Sequence, residues 1–175
     1  MKIIHRAFAC CFVALTLFSL SFAAPAQQIG NATILHAPEV SKLLPDAVFY
    51  AGQSANTQLR NSAGVHFANG NYALAVLVDT SGYSTAVQQK YQGYLLTEAP
   101  LQLGGQTLPA GAYGFGFVGN QFLVMDIGNH DLLQAPAHRD EGLQHPMPLQ
   151  VLAGASPGEW RLCSGRECVG FHRAP

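Results

Sequence analysis

Cys163 and Cys168 are separated by Ser164-Gly165-Arg166-Glu167. If Gly165-Arg166 forms a two-residue type II′ turn, Ser164 and Glu167 become the hydrogen-bonded pair beside it. The cysteines then form the next pair, the non-hydrogen-bonded kind whose side chains lie closer together. A disulfide accepts that spacing. The same register sets Trp160 and Leu162 beside Phe171 and Val169 on a core-facing side, and it leaves the sulfurs outward with Arg161. The closed loop is small, so the chain-entropy gain is about 2 kcal/mol. Redox cysteines favour a Cys-x-x-Cys spacing at a helix start, which four residues on a hairpin do not match. The expectation is a structural bridge.

Acids and imidazoles crowd a second stretch. His130-Asp131 and His138-Arg139-Asp140-Glu141, with His145 beyond, are residue types that ligate metals or move protons. No pair has the His-x-x-x-His spacing of a helical metal site. Gly128, Asn129, Pro136, Gly142 and Pro146 interleave them, so the stretch reads as a long polar loop, with no metal and no cofactor assigned. Asp126 lies just upstream, on a face rich in phenylalanine and across from Tyr113. Buried there, its carboxyl would titrate high and could serve as a general acid. Satisfaction by local backbone or a tyrosine hydroxyl is the plainer alternative. The catalytic candidates are therefore Asp126, His130, Asp131 and His138. Asp79-Thr80-Ser81-Gly82 carries one serine too many for an aspartic-protease loop and reads as an Asx turn. None of the serines sits in a Gly-x-Ser-x-Gly elbow.

The central hairpin is apolar on both faces. Phe115, Phe117, Phe122 and Val124 share one; Leu123, Met125 and Ile127 share the other with Gly114 and Gly116. Glycines opposite large side chains mark close approach of another segment or room for a bound group. Tyr113, Gly114, Gly116, Leu123 and Met125 are the candidate binding residues for a small apolar ligand. A covering loop or short helix is the competing reading.

Turn chemistry supplies the elements that would position these groups. Asn69-Gly70, Gly104-Gly105 and Gly119-Asn120 each stand between apolar runs, as hairpin turns do. The Asn69-Gly70 turn would set Phe67 beside Tyr72 and Val65 beside Leu74. Glu39 to Leu44 can form one helical turn before Pro45 stops it. Residues 84–91 fit either a short helix or a strand. About nine short strands with almost no helical periodicity predict an all-β chain, an antiparallel β-sandwich or partly open barrel.

A basic lead (Lys2, Arg6), an apolar run from Ala7 to Phe22 and small residues through Ala26 have the order of a cleaved secretory signal. The reading is a signal over residues 1–23, with cleavage as late as 26, and a single β domain over 27–175. Cys10 and Cys11 leave with it. Seven Lys and Arg then stand against ten Asp and Glu, with no basic cluster, so nucleic acid is not an expected partner. No second apolar span follows, so no membrane span is expected after cleavage.

The run Leu103-Gly104-Gly105-Gln106-Thr107-Leu108-Pro109-Ala110-Gly111-Ala112-Tyr113-Gly114-Phe115 resembles a segment of secreted bacterial β-sandwich domains of unknown function. The resemblance implies an exported β-sandwich and brings no catalytic residues. The expected function is a non-enzymatic binding or interaction module of the cell envelope, secreted or periplasmic, whose partner is a small apolar ligand or an envelope protein. The alternative is an envelope hydrolase or metal-dependent enzyme using Asp126 or the His130–His145 loop.

Overall fold

The chain alternates short strands with tight turns, and the computed structural model describes residues 32–175. The stretch read as a secretory signal, with Cys10 and Cys11, lies outside the described residues. β1 (Thr33–Leu35) leads through α1 (Ala37–Val40) to the hairpin of β2 (Ala47–Tyr50) and the long β3 (Gln53–His66). β4 (Tyr72–Val78), α2 (Thr85–Gln88) and β5 (Gly93–Thr97) follow, then the small hairpin of β6 (Leu101–Leu103) and β7 (Gln106–Leu108). β8 (Gly111–Val118) and β9 (Gln121–Met125) form the central hairpin. The rest is β10 (Asp131–Pro136), β11 (His138–Arg139), β12 (Gln150–Ala153), β13 (Glu159–Ser164) and β14 (Glu167–Arg173).

Two antiparallel sheets result. The first runs β1-β3-β4-β5-β8-β9-β10, with β2 added to β3; the second runs β12-β13-β14-β6-β7, with β11 added to β14. They pack face to face without closing into a barrel. No helix among the described residues is long and apolar enough to cross a membrane.

Alternation along the strands fills the layer between the sheets. Val65, Ala75, Leu95, Phe115, Phe122 and Val124 of the first sheet meet Leu101, Leu103, Val151, Trp160, Leu162 and Phe171 of the second. The outer face of the first sheet is buried as well. Val40 and Leu44, around α1, cover Leu74 and Val76. Tyr50 from β2, with Tyr83 and Tyr91 flanking α2, covers Val78 and Met125. That covering explains why β8 and β9 are apolar on both sides.

The Gly104-Gly105, Gly119-Asn120 and Gly165-Arg166 turns close in the expected registers. The Asn69-Gly70 hairpin differs by one residue: His66 pairs with Tyr72, and Val65 with Ala73. Only Gly70 takes a positive φ, 88°, so the loop is a type I turn followed by a left-handed residue rather than the two-residue type I′ form. Asn69 instead accepts the N–H of Asn71 at 3.2 Å. The longer loop lets His66 stack on Tyr72, with centroids 4.4 Å apart.

Three further expectations shift. Residues 131–139, read as polar loop, form β10 and β11, because Leu133, Ala135 and Ala137 alternate into the core. Within residues 84–91, left open between helix and strand, Thr85–Gln88 form the short helix α2 with Ser84 at its N-cap. Strand β3 begins twelve residues before Val65, interrupted where Gln58 to Asn61 bulge against Leu77, between the pairs Thr57–Val78 and Ser62–Val76.

Candidate functional site

The glycines of the central hairpin are covered. Alternation in β2 turns Val48 and Tyr50 inward, and the Tyr50 ring lies over Gly114, where an added Cβ would overlap it. Gly116 lies under the backbone carbonyl of Lys90, which a Cβ would also meet. Leu123 is half-buried and Met125 fully buried. Tyr113 faces the opposite way, into the inter-sheet core, and donates to Pro109 O at 2.9 Å. The space that sequence patterning leaves is thus filled by the chain itself, by the Tyr50 ring at Gly114 and by the Lys90 backbone at Gly116. A cavity of about 20 Å³ lies elsewhere, between the sheets, against Ala63, Ala73, Ala75, Leu101, Leu162 and Phe171. That is room for one water-sized body.

The cover is a tyrosine cluster. Tyr50 stacks on Tyr91, and Tyr83 meets Tyr91 edge-on at 5.4 Å. Tyr83 donates to Tyr50 O at 3.0 Å. The Tyr50 hydroxyl lies 2.9 Å from Asn129 Oδ1 and 3.3 Å from Met125 Sδ. The Tyr91 hydroxyl is buried and has no partner among the described residues. Burial, and then the negative charges of Asp126 and Asp131, push the Tyr50 phenol far up; burial and then Tyr83 and Tyr50 do the same to Tyr91. Both stay neutral at physiological pH: Tyr50 serves as a donor and packing group, Tyr91 as a packing group alone.

Beside this cluster, β9 ends at Met125 and residues 126–130 form a tight turn. Asp126 therefore leaves the phenylalanine face where the strand pattern puts it. Its Oδ1 accepts the N–H groups of Gly128 at 2.8 Å and His130 at 2.9 Å, and its Oδ2 lies 2.9 Å from His130 Nδ1. Those bonds hold the carboxyl below its usual range, first through the His130 N–H and then through its ring. This is the reverse of the high-titrating acid that burial would give. Asn129 adopts a left-handed φ of 70° at the tip, a conformation asparagine tolerates well. Asp131 pairs with Lys90 at 2.7 Å, fastening the end of α2 to the start of β10.

Asp126, His130 and Asp131 therefore share one corner of the first sheet. His138 does not join them: it sits on β11, exposed, paired with Cys168 of the second sheet. Among the described residues, no group of three or more His, Cys, Asp and Glu is placed to hold a metal. Asp79 makes the Asx turn, accepting the Ser81 N–H at 3.0 Å.

Cys163 and Cys168 are bonded, with Cα atoms 4.1 Å apart. Trp160, Leu162, Val169 and Phe171 face the core as the hairpin register requires. The sulfurs take the outward face, yet both cysteines are fully buried. Residues 140–147, between β11 and β12, are tied to the same hairpin. Arg161, on the same face as Cys163, binds Asp140 Oδ2 at 2.6 Å. Arg166, at the hairpin tip, donates to the carbonyls of Asp140, Glu141 and Leu143.

Sequence patterning passes over Tyr50, Tyr83, Tyr91 and Gln150. The alternation of Val48 and Tyr50 before Ala51-Gly52 is the one local signal for the covering hairpin; the meeting of three tyrosines depends on contacts distant along the chain. Compared with protein-family models, with curated proteins and with solved structures, the chain matches none.

Proposed function

We propose that the protein is an exported, non-enzymatic β-sandwich that serves as a binding or interaction module of the cell envelope. The observation that carries this reading is how the reactive side chains are employed. Asp126 is committed to its own turn, Asp131 to Lys90, and His138 lies on the other sheet. An acid–base mechanism needs such groups to converge within hydrogen-bond reach of one reacting atom. The leader pattern and the Cys163–Cys168 bond support an oxidising compartment.

Two measurements test it. Expressed with its own leader in a bacterial host, the chain should be recovered outside the cytosol with a mature N-terminus at residue 24 or 27; recovery of the uncleaved chain in the cytosol overturns export. Assayed against ester, phosphate, glycoside and peptide substrates, the mature protein should give no turnover above buffer. Turnover abolished by Asp126→Asn or His130→Ala would establish the hydrolase reading instead. Native mass spectrometry of the purified protein identifies any small molecule it carries.

A further inference from the structure

The outer face of the second sheet carries a transverse row of four side chains. Strand register aligns Gln150 with Cys163, Cys163 with Cys168, and Cys168 with His138. Cross-strand neighbours of this kind are within side-chain reach. Gln150 is only 8% exposed, and its Nε2 has no hydrogen-bond partner among the described residues. A buried amide donor left unpaired costs stability and calls for an explanation. The neighbour that register gives it is Cys163, whose thiolate, once formed, would accept that hydrogen bond.

Residues 140–147 form a strap fastened to the hairpin on both sides of the sulfur pair. On one side is the Arg161–Asp140 contact. On the other are the three carbonyl bonds of Arg166, the Asp140 N–H to Arg166 O at 2.9 Å and the Gly165 N–H to Met147 O at 2.9 Å. Residues 164–167, the tip that grips the strap, are also the turn closed by the disulfide.

We propose that Cys163–Cys168 is a thiol–disulfide exchange site gated by the 140–147 strap, with a dithiol as its reductant, and that its redox state sets the hold on the strap. One thiolate of the dithiol attacks Sγ of Cys168, beside exposed His138. The S–S bond breaks and Cys163 leaves as a thiolate, next to Gln150 and two residues from Arg161. The second thiol of the partner displaces Cys168 from the mixed disulfide. Two electrons and two protons pass to the cysteines, and the partner becomes a disulfide. The coupling is reciprocal: if opening the strap exposes the bond, breaking the bond loosens the strap. None of this depends on where the protein resides.

The test uses purified oxidised protein and dithiothreitol, with free thiols alkylated and counted by mass. Asp140→Asn, which keeps the size and loses the charge that holds Arg161, should be reduced at least tenfold faster than wild type. Gln150→Leu should be reduced more slowly, because the leaving thiolate loses its donor. Reduced wild type should be cut by trypsin after Arg139 at least tenfold faster than oxidised wild type, with amide exchange at Phe115 and Phe122 unchanged. Equal reduction rates in wild type and Asp140→Asn overturn the gate. An unchanged rate in Gln150→Leu overturns the thiolate-stabilising role. Reduction no faster than exchange of the Phe122 amide means the bond opens only on global unfolding, and overturns the site. If Asp140→Asn does not fold, the cleavage comparison on wild type decides alone: no change on reduction overturns the coupling.

Discussion

Tyr50 lies nearly flat on Tyr91, with ring centroids 3.6 Å apart and planes 13° from parallel, yet only one of the two hydroxyls is hydrogen-bonded. The pair offers an internal comparison of a used and an unused buried phenol. Tyr91→Phe removes an unsatisfied polar atom and keeps the ring, so stability should be unchanged or rise by up to about 1 kcal/mol. Tyr50→Phe keeps the stack and loses the bond to Asn129, and should cost about 1–2 kcal/mol. Urea unfolding midpoints at constant m-value measure both. A larger loss in Tyr91→Phe than in Tyr50→Phe contradicts the assignment.

The closeness of Tyr50 to Gly114 gives a second expectation. A Cβ at Gly114 would overlap the Tyr50 ring, which is fully buried and stacked and so has little freedom to move. Gly114→Ala should cost about 1–3 kcal/mol through overpacking. Gly170 on β14 is the control: a Cβ there meets nothing within 4 Å. Gly170→Ala should gain roughly 0.5 kcal/mol from the lower entropy of the unfolded chain. Thermal unfolding of the two variants should move in opposite directions.

These two positions also show what could be read from the chain. Gly114 and Gly116 opposite Met125 and Leu123 announce a close approach, and turn chemistry places them in the right register. What approaches is not written locally, since Tyr50 lies 64 residues upstream and reaches Gly114 only because β2 folds back over the first sheet. The Cys163–Cys168 hairpin is the opposite case: a two-residue turn fixes every pair from Ser164 to Trp160, so register, bond and core face all follow from spacing. The 140–147 strap does not follow, because Arg161 reaches the Asp140 carboxylate and Arg166 the Leu143 carbonyl, each more than twenty residues away. His66 marks the limit of the turn rules, since one extra loop residue moved it from Ala73 to Tyr72.

Ala51 is the weak point of the covering hairpin. It takes a φ of 47° in the two-residue turn between Tyr50 and Gln53, while its N–H donates to Ile127 O at 2.7 Å. A left-handed alanine is disfavoured by roughly 1 kcal/mol, and the first position of a type I′ turn favours asparagine. Ala51→Asn keeps the N–H and removes the misfit. It should raise stability by about 1 kcal/mol, read as a higher urea midpoint without a change in m-value. A loss would mean that the bond to Ile127 holds the turn in a shape asparagine does not share.

Acid should loosen the Asp126 turn in a defined direction. The His130 N–H, the His130 ring and the Gly128 N–H hold the folded carboxyl below its ordinary value of 3.8. A carboxyl lowered in the folded state contributes stability that is fully present above its unfolded value. That stability is lost as pH falls through the folded value. Asp140, lowered chiefly by Arg161, and Asp79, lowered by Ser81, act with the same sign. The melting temperature of the wild type should therefore hold steady above about pH 5 and fall below about pH 4. Asp126→Asn keeps an acceptor oxygen without the charge. It should melt a few degrees below wild type at pH 7, and the gap should close once the pH falls below the folded carboxyl's own lowered value. A gap that persists undiminished below that value assigns the loss to shape rather than charge, and removes the ionised carboxylate as the source of the turn's stability.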